Sequence, residues 1–178
     1  MLKKLLKIKN IAVKIMVTTQ MEEAMQRENK LNLSQFLYAR EHIYENNWYS
    51  GVHSHAHTEL FFITCGEGIF SIAGNNLSVS SGDFLIINSN VPHTEFSSKQ
   101  NALGYLVIGA ENTQISFKEQ GEQDFMLSRD DELNAKLLPI FREIKNEFEN
   151  HEEYTPQLCQ TLLEVLFLYL LKFFSGAT

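Results

Sequence analysis

The chain has 178 residues, 44% of them hydrophobic and 11% aromatic, with a net charge of −7. That suffices for one domain with a real core plus a short appendage, and it excludes a large multidomain enzyme. The charge is uneven: the first seventeen residues hold Lys3, Lys4, Lys7, Lys9 and Lys14 and no acid, so the rest carries ten basic against twenty-two acidic residues, a poor grip for a phosphate backbone.

Residues 1–33 read as a separate N-terminal arm. Lysines interrupt each of its apolar runs before a signal-peptide core can form, and no small-residue cleavage site follows. Thr18–Asn32 is polar, with helix-favouring residues from Met21 to Met25. A mobile arm and a specific functional element both fit it. Cys65 and Cys159 lie far apart without repeat spacing. That is no disulfide framework, and it suits a reducing, cytoplasmic setting.

From Gln35 the texture becomes that of strands: Gln35–Tyr44, Glu59–Thr64, Ile69–Ala73, Leu77–Val79, Phe84–Ile87 and Ala102–Ile108. Turn residues divide these runs, including Cys65–Gly68, Gly74–Asn75–Asn76 and Ser81–Gly82–Asp83. Closely spaced short strands of this kind predict a sandwich or barrel. Gly74–Asn75–Asn76 supplies residues that tolerate positive φ, as a tight hairpin requires. Phe36, Tyr38, Phe61, Phe84 and Tyr105 fall on these strands, as core or as pocket lining.

Near Asp130 the period turns helical. Asp130 is a candidate N-cap, followed by the stripe Leu133, Leu137, Leu138, Phe141, Ile144 and Phe148, with Pro139 as a candidate kink. Thr155–Pro156 opens a second helix. Its apolar positions Leu158, Leu162, Val165, Leu166, Tyr169 and Phe173 are joined by Leu163, Phe167, Leu168, Leu171 and Phe174. Gln160, Glu164 and Lys172 interrupt the run, and its length falls short of a bilayer span, so no membrane partner is predicted. The apolar surface exceeds what one sheet face covers. A helix–helix partner, another subunit in a homodimer, or a missing domain would use the surplus, with Leu158, Leu162, Val165, Leu166, Tyr169 and Phe173 as the contact. A helix pair packed on the barrel alone is the alternative.

The chemistry is concentrated in Gly51–Gly66. His53, His55, His57 and Glu59 are all at odd positions, so an extended segment would project them from one face. Three imidazoles and a carboxylate on one face are costly to bury unpartnered. A divalent cation would satisfy them, and so would a polar cavity. His93 follows a second turn-rich stretch, Gly82–Pro92, and could approach from a neighbouring strand. His53, His55, Glu59 and His93 would together suit Zn, Fe, Mn or Ni. Trp48 and Tyr49 precede this segment, where an aromatic ring either stacks on an effector or packs the barrel edge. His42 and His151 read as surface histidines. Cys65 has no basic neighbour or second thiol to activate it.

His53-x-His55-x3-Glu59-x6-Gly66 resembles the first cupin motif, and Gly82-x9-Pro92-His93 the second, although Asn88 and Asn90 stand where many cupins carry Pro and Gly. The order of His strand, Gly-Asp-apolar run-Asn-x-Pro-His segment and two helices resembles the N-terminal sensor half of AraC/XylS-family transcription regulators, over about residues 35–175. The resemblance implies a mainly β fold with C-terminal α: a cupin-like jelly-roll β-barrel followed by two helices. It implies an arm at 1–33, an effector-binding barrel at 34–128 and a helical dimerisation region at 129–178. A small-molecule effector would sit in the barrel, with His57, Trp48, Tyr49, Phe61 and Tyr105 as candidate contacts. DNA would be reached only through a domain outside this chain. In metal-dependent cupins His53, His55, Glu59 and His93 would be ligands, which leaves a metal-dependent oxygenase or isomerase as the alternative to a non-enzymatic sensor.

Overall fold

The continuous apolar run Leu60–Ile63 becomes the middle of a central strand buried on both faces. In the computed structural model, which describes residues 34–44, 49–98, 100–115 and 124–175, eight strands precede two helices. They are β1 (Gln35–Ile43), β2 (Thr58–Cys65), β3 (Glu67–Ile72), β4 (Asn75–Ser80), β5 (Phe84–Ile87), β6 (His93–Ser97), β7 (Gly104–Glu111), β8 (Phe125–Ser128), α1 (Asp131–Asn150) and α2 (Thr155–Ser175). One sheet runs β1-β7-β2-β5-β8 and the other β4-β3-β6. Every pairing is antiparallel. The architecture is the cupin-like jelly roll with two C-terminal helices that the sequence leads one to expect. Two strands escape the sequence reading: β6, whose His-Thr-Glu-Phe-Ser has no apolar alternation to announce it, and the four-residue β8.

Because side chains alternate across a strand, the five-stranded sheet has two apolar faces. Phe61, Ile63, Leu85, Ile87 and Val107 pack inward with Phe70, Ile72 and Val79 of the smaller sheet. Leu60, Phe62, Phe84, Ile86, Leu106 and Ile108 are equally buried on the alternate positions. That second face meets the helices, where the Phe141 ring lies 5.8 Å from Phe62 and 5.9 Å from Phe84.

Asp130 caps α1 as expected, its carboxylate accepting the Leu133 N–H at 2.7 Å, and Asp131 and Glu132 place further negative charge at the positive end of the helix. The helix continues unbroken through Pro139. Buried Asn134 ties it to the barrel by donating to the carbonyls of Gly82 and Ser128. Gln160 of α2 does the same for the edge strand β1. Its Oε1 accepts the Phe36 N–H and its Nε2 donates to the Ser34 carbonyl, both at 2.9 Å. The β3–β4 hairpin differs from expectation. Its left-handed residues are Ala73 and Gly74, and Asn75 already pairs with Ile72, so the turn is two residues long and starts one residue earlier. Along α2, Leu166 is buried within the chain and Leu162 and Val165 are half-buried, whereas Leu158, Tyr169 and Phe173 are exposed beside Leu168 and Leu171. Among the described residues, no helix is long and apolar enough to cross a membrane.

Candidate metal and effector site

The segment ahead of β2 bends at Val52 and at Ala56–His57, yet burial alternates along it: His53, His55 and His57 are half-buried while Ser54 and Ala56 are exposed. His53 is fixed by reciprocal backbone hydrogen bonds with His93, at 3.0 and 2.9 Å. That pairing brings the second motif onto the first. The donor atoms of His53, His55 and His93 lie within 4.8 Å of one another. His53 Nδ1 donates to the Gly51 carbonyl at 2.8 Å and His93 Nδ1 to the Val91 carbonyl at 2.9 Å. With the proton held on Nδ1, the neutral ring of each presents its Nε2 lone pair to the cluster.

Glu59 closes the group. Its Oε2 lies 3.1 Å from His93 Nε2 and 3.6 Å from His55 Nε2. Glu59 Oε2 and His93 Nε2 are both buried, and neither has an aligned hydrogen-bond partner. Two buried acceptors facing each other require a proton or a cation between them. Burial alone would lift the Glu59 carboxyl, but His93, the Tyr38 hydroxyl and His55 outweigh it and hold the group below the usual carboxylate range. Burial likewise works against protonated His93, and the neighbouring carboxylate and the Val91 carbonyl reverse that and raise it. His55 is lowered by burial, which Glu59 only partly offsets and the other histidines reinforce.

Tyr38 orients the carboxylate from the far edge of the sheet. Its hydroxyl donates to Glu59 Oε1 at 2.6 Å and lies 3.0 Å from His57 Nε2. Gly109 of β7 lies opposite both Tyr38 and Glu59 in the strand register. A Cβ at Gly109 would meet the Tyr38 ring at 2.4 Å, so only glycine lets the ring cross the middle strand. A register shift between Phe36 and Tyr38 re-aims the strand. It leaves Phe36 against Phe148 of α1, with ring centroids 5.4 Å apart, and turns Tyr38 into the barrel.

A cavity of about 180 Å³ opens from this cluster. His53, His55 and Glu59 line one end, and Phe61 and Val107 contribute apolar surface. Tyr44, Ser50, Glu95 and Tyr105 line the remainder, with Tyr38, Arg40 and His42 of β1. A larger hollow of about 480 Å³ lies against Ile69, Val79 and Phe96 of the smaller sheet and Arg129 of the loop after β8, away from the histidines.

Of the expected effector contacts, Phe61 and Tyr105 line the cavity. His57 stands beside it, bonded to Tyr38 and stacked on His55 at 4.9 Å. Tyr49 is 67% exposed and stacked on Phe96 at 6.2 Å, outside the cavity, because its backbone pairs with that edge strand. Trp48 lies outside the described residues. His42 is a correction: it is half-buried, lines the cavity and stacks on Tyr44, because the even positions of β1 from Tyr38 onward face inward. Sequence reasoning also missed Glu95, Ser50, Tyr44 and the Tyr38–Gly109 pair. The alternation Tyr38-x-Arg40-x-His42-x-Tyr44 was the available signal for the β1 residues.

Comparison with solved structures places this geometry. ToxT from Vibrio cholerae aligns over 79% of this chain and 57% of its own, with a TM-score of 0.56 and 10% identity, a likeness of fold. The plu4264 protein from Photorhabdus luminescens is 27% identical over 40% of this chain and 59% of its own, with a TM-score of 0.38. An RmlC-like cupin from Shewanella frigidimarina is 17% identical over 43% of this chain and 73% of its own, also at 0.38. The chain thus spans less than two thirds of the length of ToxT and of plu4264. No curated protein matches it. The family description "AraC-like ligand binding domain" matches residues 37–167, most of the sequence, and the chain therefore belongs to the AraC-like ligand-binding domain family.

Proposed function

We propose that this chain is the effector-sensing and dimerisation domain of a cytoplasmic transcription regulator, binding a small molecule in the barrel and reaching DNA only through a domain outside this sequence. The observation that carries the reading is a cavity inside a barrel of this family, lined at one end by the polar side chains of Tyr44, Ser50, Glu95 and Tyr105. β1 supplies a route for a signal. Its inward side chains Tyr38, Arg40 and His42 touch the cavity, while Gln160 of α2 binds its backbone at Ser34 and Phe36. An effector acts by its differential affinity for two arrangements of that strand and helix. The exposed stripe of Leu158, Leu168, Tyr169, Leu171 and Phe173 serves as the contact with a second copy. Native mass spectrometry of the purified protein tests both parts. A retained small molecule and a dimer are expected, and a ligand-free strict monomer at all concentrations sinks the reading.

A second reading rests on the orphaned pair Glu59 Oε2 and His93 Nε2. His53, His55, His93 and Glu59 fit a divalent transition metal of the Zn, Fe, Mn or Ni type, since the two Nδ1 bonds leave nitrogen lone pairs for it. Such an ion would supply Lewis-acid or oxygen-activating chemistry in a cupin oxygenase or isomerase. Within that chemistry the chain's own part is to hold Glu59 through Tyr38 and to keep apolar Phe61 and Val107 against the site. Metal analysis after metal-replete purification, with thermal unfolding before and after chelation, decides it. No bound metal and an unchanged Tm would remove the metal and the enzyme together.

A further inference from the structure

The cavity has a second end that the histidine cluster does not use. Glu95, two residues beyond His93 on β6, is 3% exposed and lines the cavity. One oxygen of its carboxylate accepts from Ser50 Oγ, and the other lies 3.5 Å from the Tyr105 hydroxyl. Ser50 Oγ in turn accepts the Glu95 N–H at 3.0 Å, so the serine grips both ends of the residue. Tyr44 and Tyr105 share a hydrogen bond at 2.7 Å. Burial, and then Glu95 itself, push the Tyr105 phenol far above its ordinary range, so it remains a neutral donor. Among the described residues, no ion pair reaches Glu95.

A buried carboxylate held by two hydroxyls and no cation is a costly group unless something else compensates it. Its surroundings define what could. Ring centroids lie 5.7 Å apart for His42 and Tyr44, 5.6 Å for Tyr44 and Tyr105, and 5.3 Å for Phe61 and Tyr105. Aromatic faces beside a carboxylate attract a cation twice, through the ring quadrupoles and through a charge-assisted hydrogen bond. The cation on the cavity wall is Arg40, itself exposed, with its guanidinium 5.1 Å from the Tyr38 ring centroid. An anionic effector would meet Glu95 and Glu59, and a neutral one would leave the Glu95 charge uncompensated.

We propose that the Glu95–Tyr44–Tyr105 end of the cavity is a subsite for the protonated amino group of a small effector. The inference rests on the reading that the cavity takes an effector, and it adds the chemical class. The cavity of about 180 Å³ leaves room beside these groups for a small effector.

The test uses three probes of matched length, n-butylamine, n-butanol and butyrate, titrated into the full chain at pH 7 with ligand-observed NMR. The amine is expected to bind about tenfold more tightly than the alcohol, with butyrate weakest. Glu95→Gln keeps the shape and removes the charge. It should weaken the amine about tenfold, leave butanol unchanged and leave zinc binding at the histidines intact. Butanol or butyrate binding as well as the amine would overturn the amine assignment while keeping the cavity as an effector site. Binding of none of the three would overturn both. The ranking in the unsubstituted protein decides the matter even where Glu95→Gln fails to fold.

Discussion

The two faces of the five-stranded sheet are built from the same strands and do opposite things. Toward the helices, Leu60, Phe62, Phe84, Ile86, Leu106 and Ile108 are buried, as are Leu137, Phe141 and Ile144 of α1, and buried Asn134 is satisfied by the Gly82 and Ser128 carbonyls. Toward the smaller sheet the apolar core is interrupted by Glu59 and Glu95, both buried and both lining the cavity, and by buried His93, which faces Glu59 at 3.1 Å. Alternation of side chains lets one strand serve both: in β2, Leu60 and Phe62 face the helices, and Glu59 and Phe61 face the cavity. The contrast implies that stability and ligand chemistry can be damaged separately, and substitutions on either face test that.

The largest effect belongs to the helical face. Phe141→Ala removes a fully buried ring that contacts Phe62 and Phe84 and should cost about 3–5 kcal/mol in urea unfolding. Metal and amine affinities of the fraction that folds should not change. A change in either would show that the two faces are coupled through the sheet.

On the face toward the smaller sheet, His93→Ala should cut affinity for zinc by at least about 100-fold, about 2.8 kcal/mol at 1.4 kcal/mol per tenfold. It should leave Phe141 and its neighbours packed as before, which near-ultraviolet circular dichroism would report. Zinc affinity unchanged by the substitution would remove His93 from the metal-holding group.

Much of this arrangement is legible in the sequence, and the parts that are not share a cause. The period-2 spacing of His53, His55, His57 and Glu59 and the capping Asp130 are local signals, and the structure places them as read. The cavity's second end depends on which strands lie side by side. Glu95 sits on a strand with no apolar pattern, and only the β3–β6 pairing, with Ile72 opposite His93, turns it inward. His42 reads as a surface residue until the β1–β7 pairing sets it opposite Tyr105. Gly109 draws no notice in the sequence, where the strand is read only as far as Ile108. Its meaning comes from Tyr38, 71 positions earlier in the chain, whose ring occupies the space a side chain would need.

That last pair provides a sharper test than either face alone. Gly109→Ala puts a methyl 2.4 Å from Tyr38 Cε1, and the ring must shift because the β7 backbone is held by strands on both sides. Overpacking of this kind should cost about 1–3 kcal/mol, and zinc affinity should fall with it as Tyr38 leaves Glu59.

The smallest change of structure is that of Tyr38→Phe, which keeps the ring across Gly109 and deletes the hydroxyl that bonds Glu59 Oε1 at 2.6 Å. Stability should fall by about 1.5–3 kcal/mol at most, the range for a hydrogen bond to a charged group. Zinc affinity should fall about tenfold, the lower end of what the loss of an outer-shell partner costs. If Tyr38 acts by aiming the carboxylate, Tyr38→Phe and Gly109→Ala remove the same contact. Their effects on zinc affinity should then fail to add, with the double variant close to the worse single one. Full additivity would mean that Gly109 matters only for packing, and that the hydroxyl of Tyr38 reaches the histidine cluster through His57 rather than through Glu59.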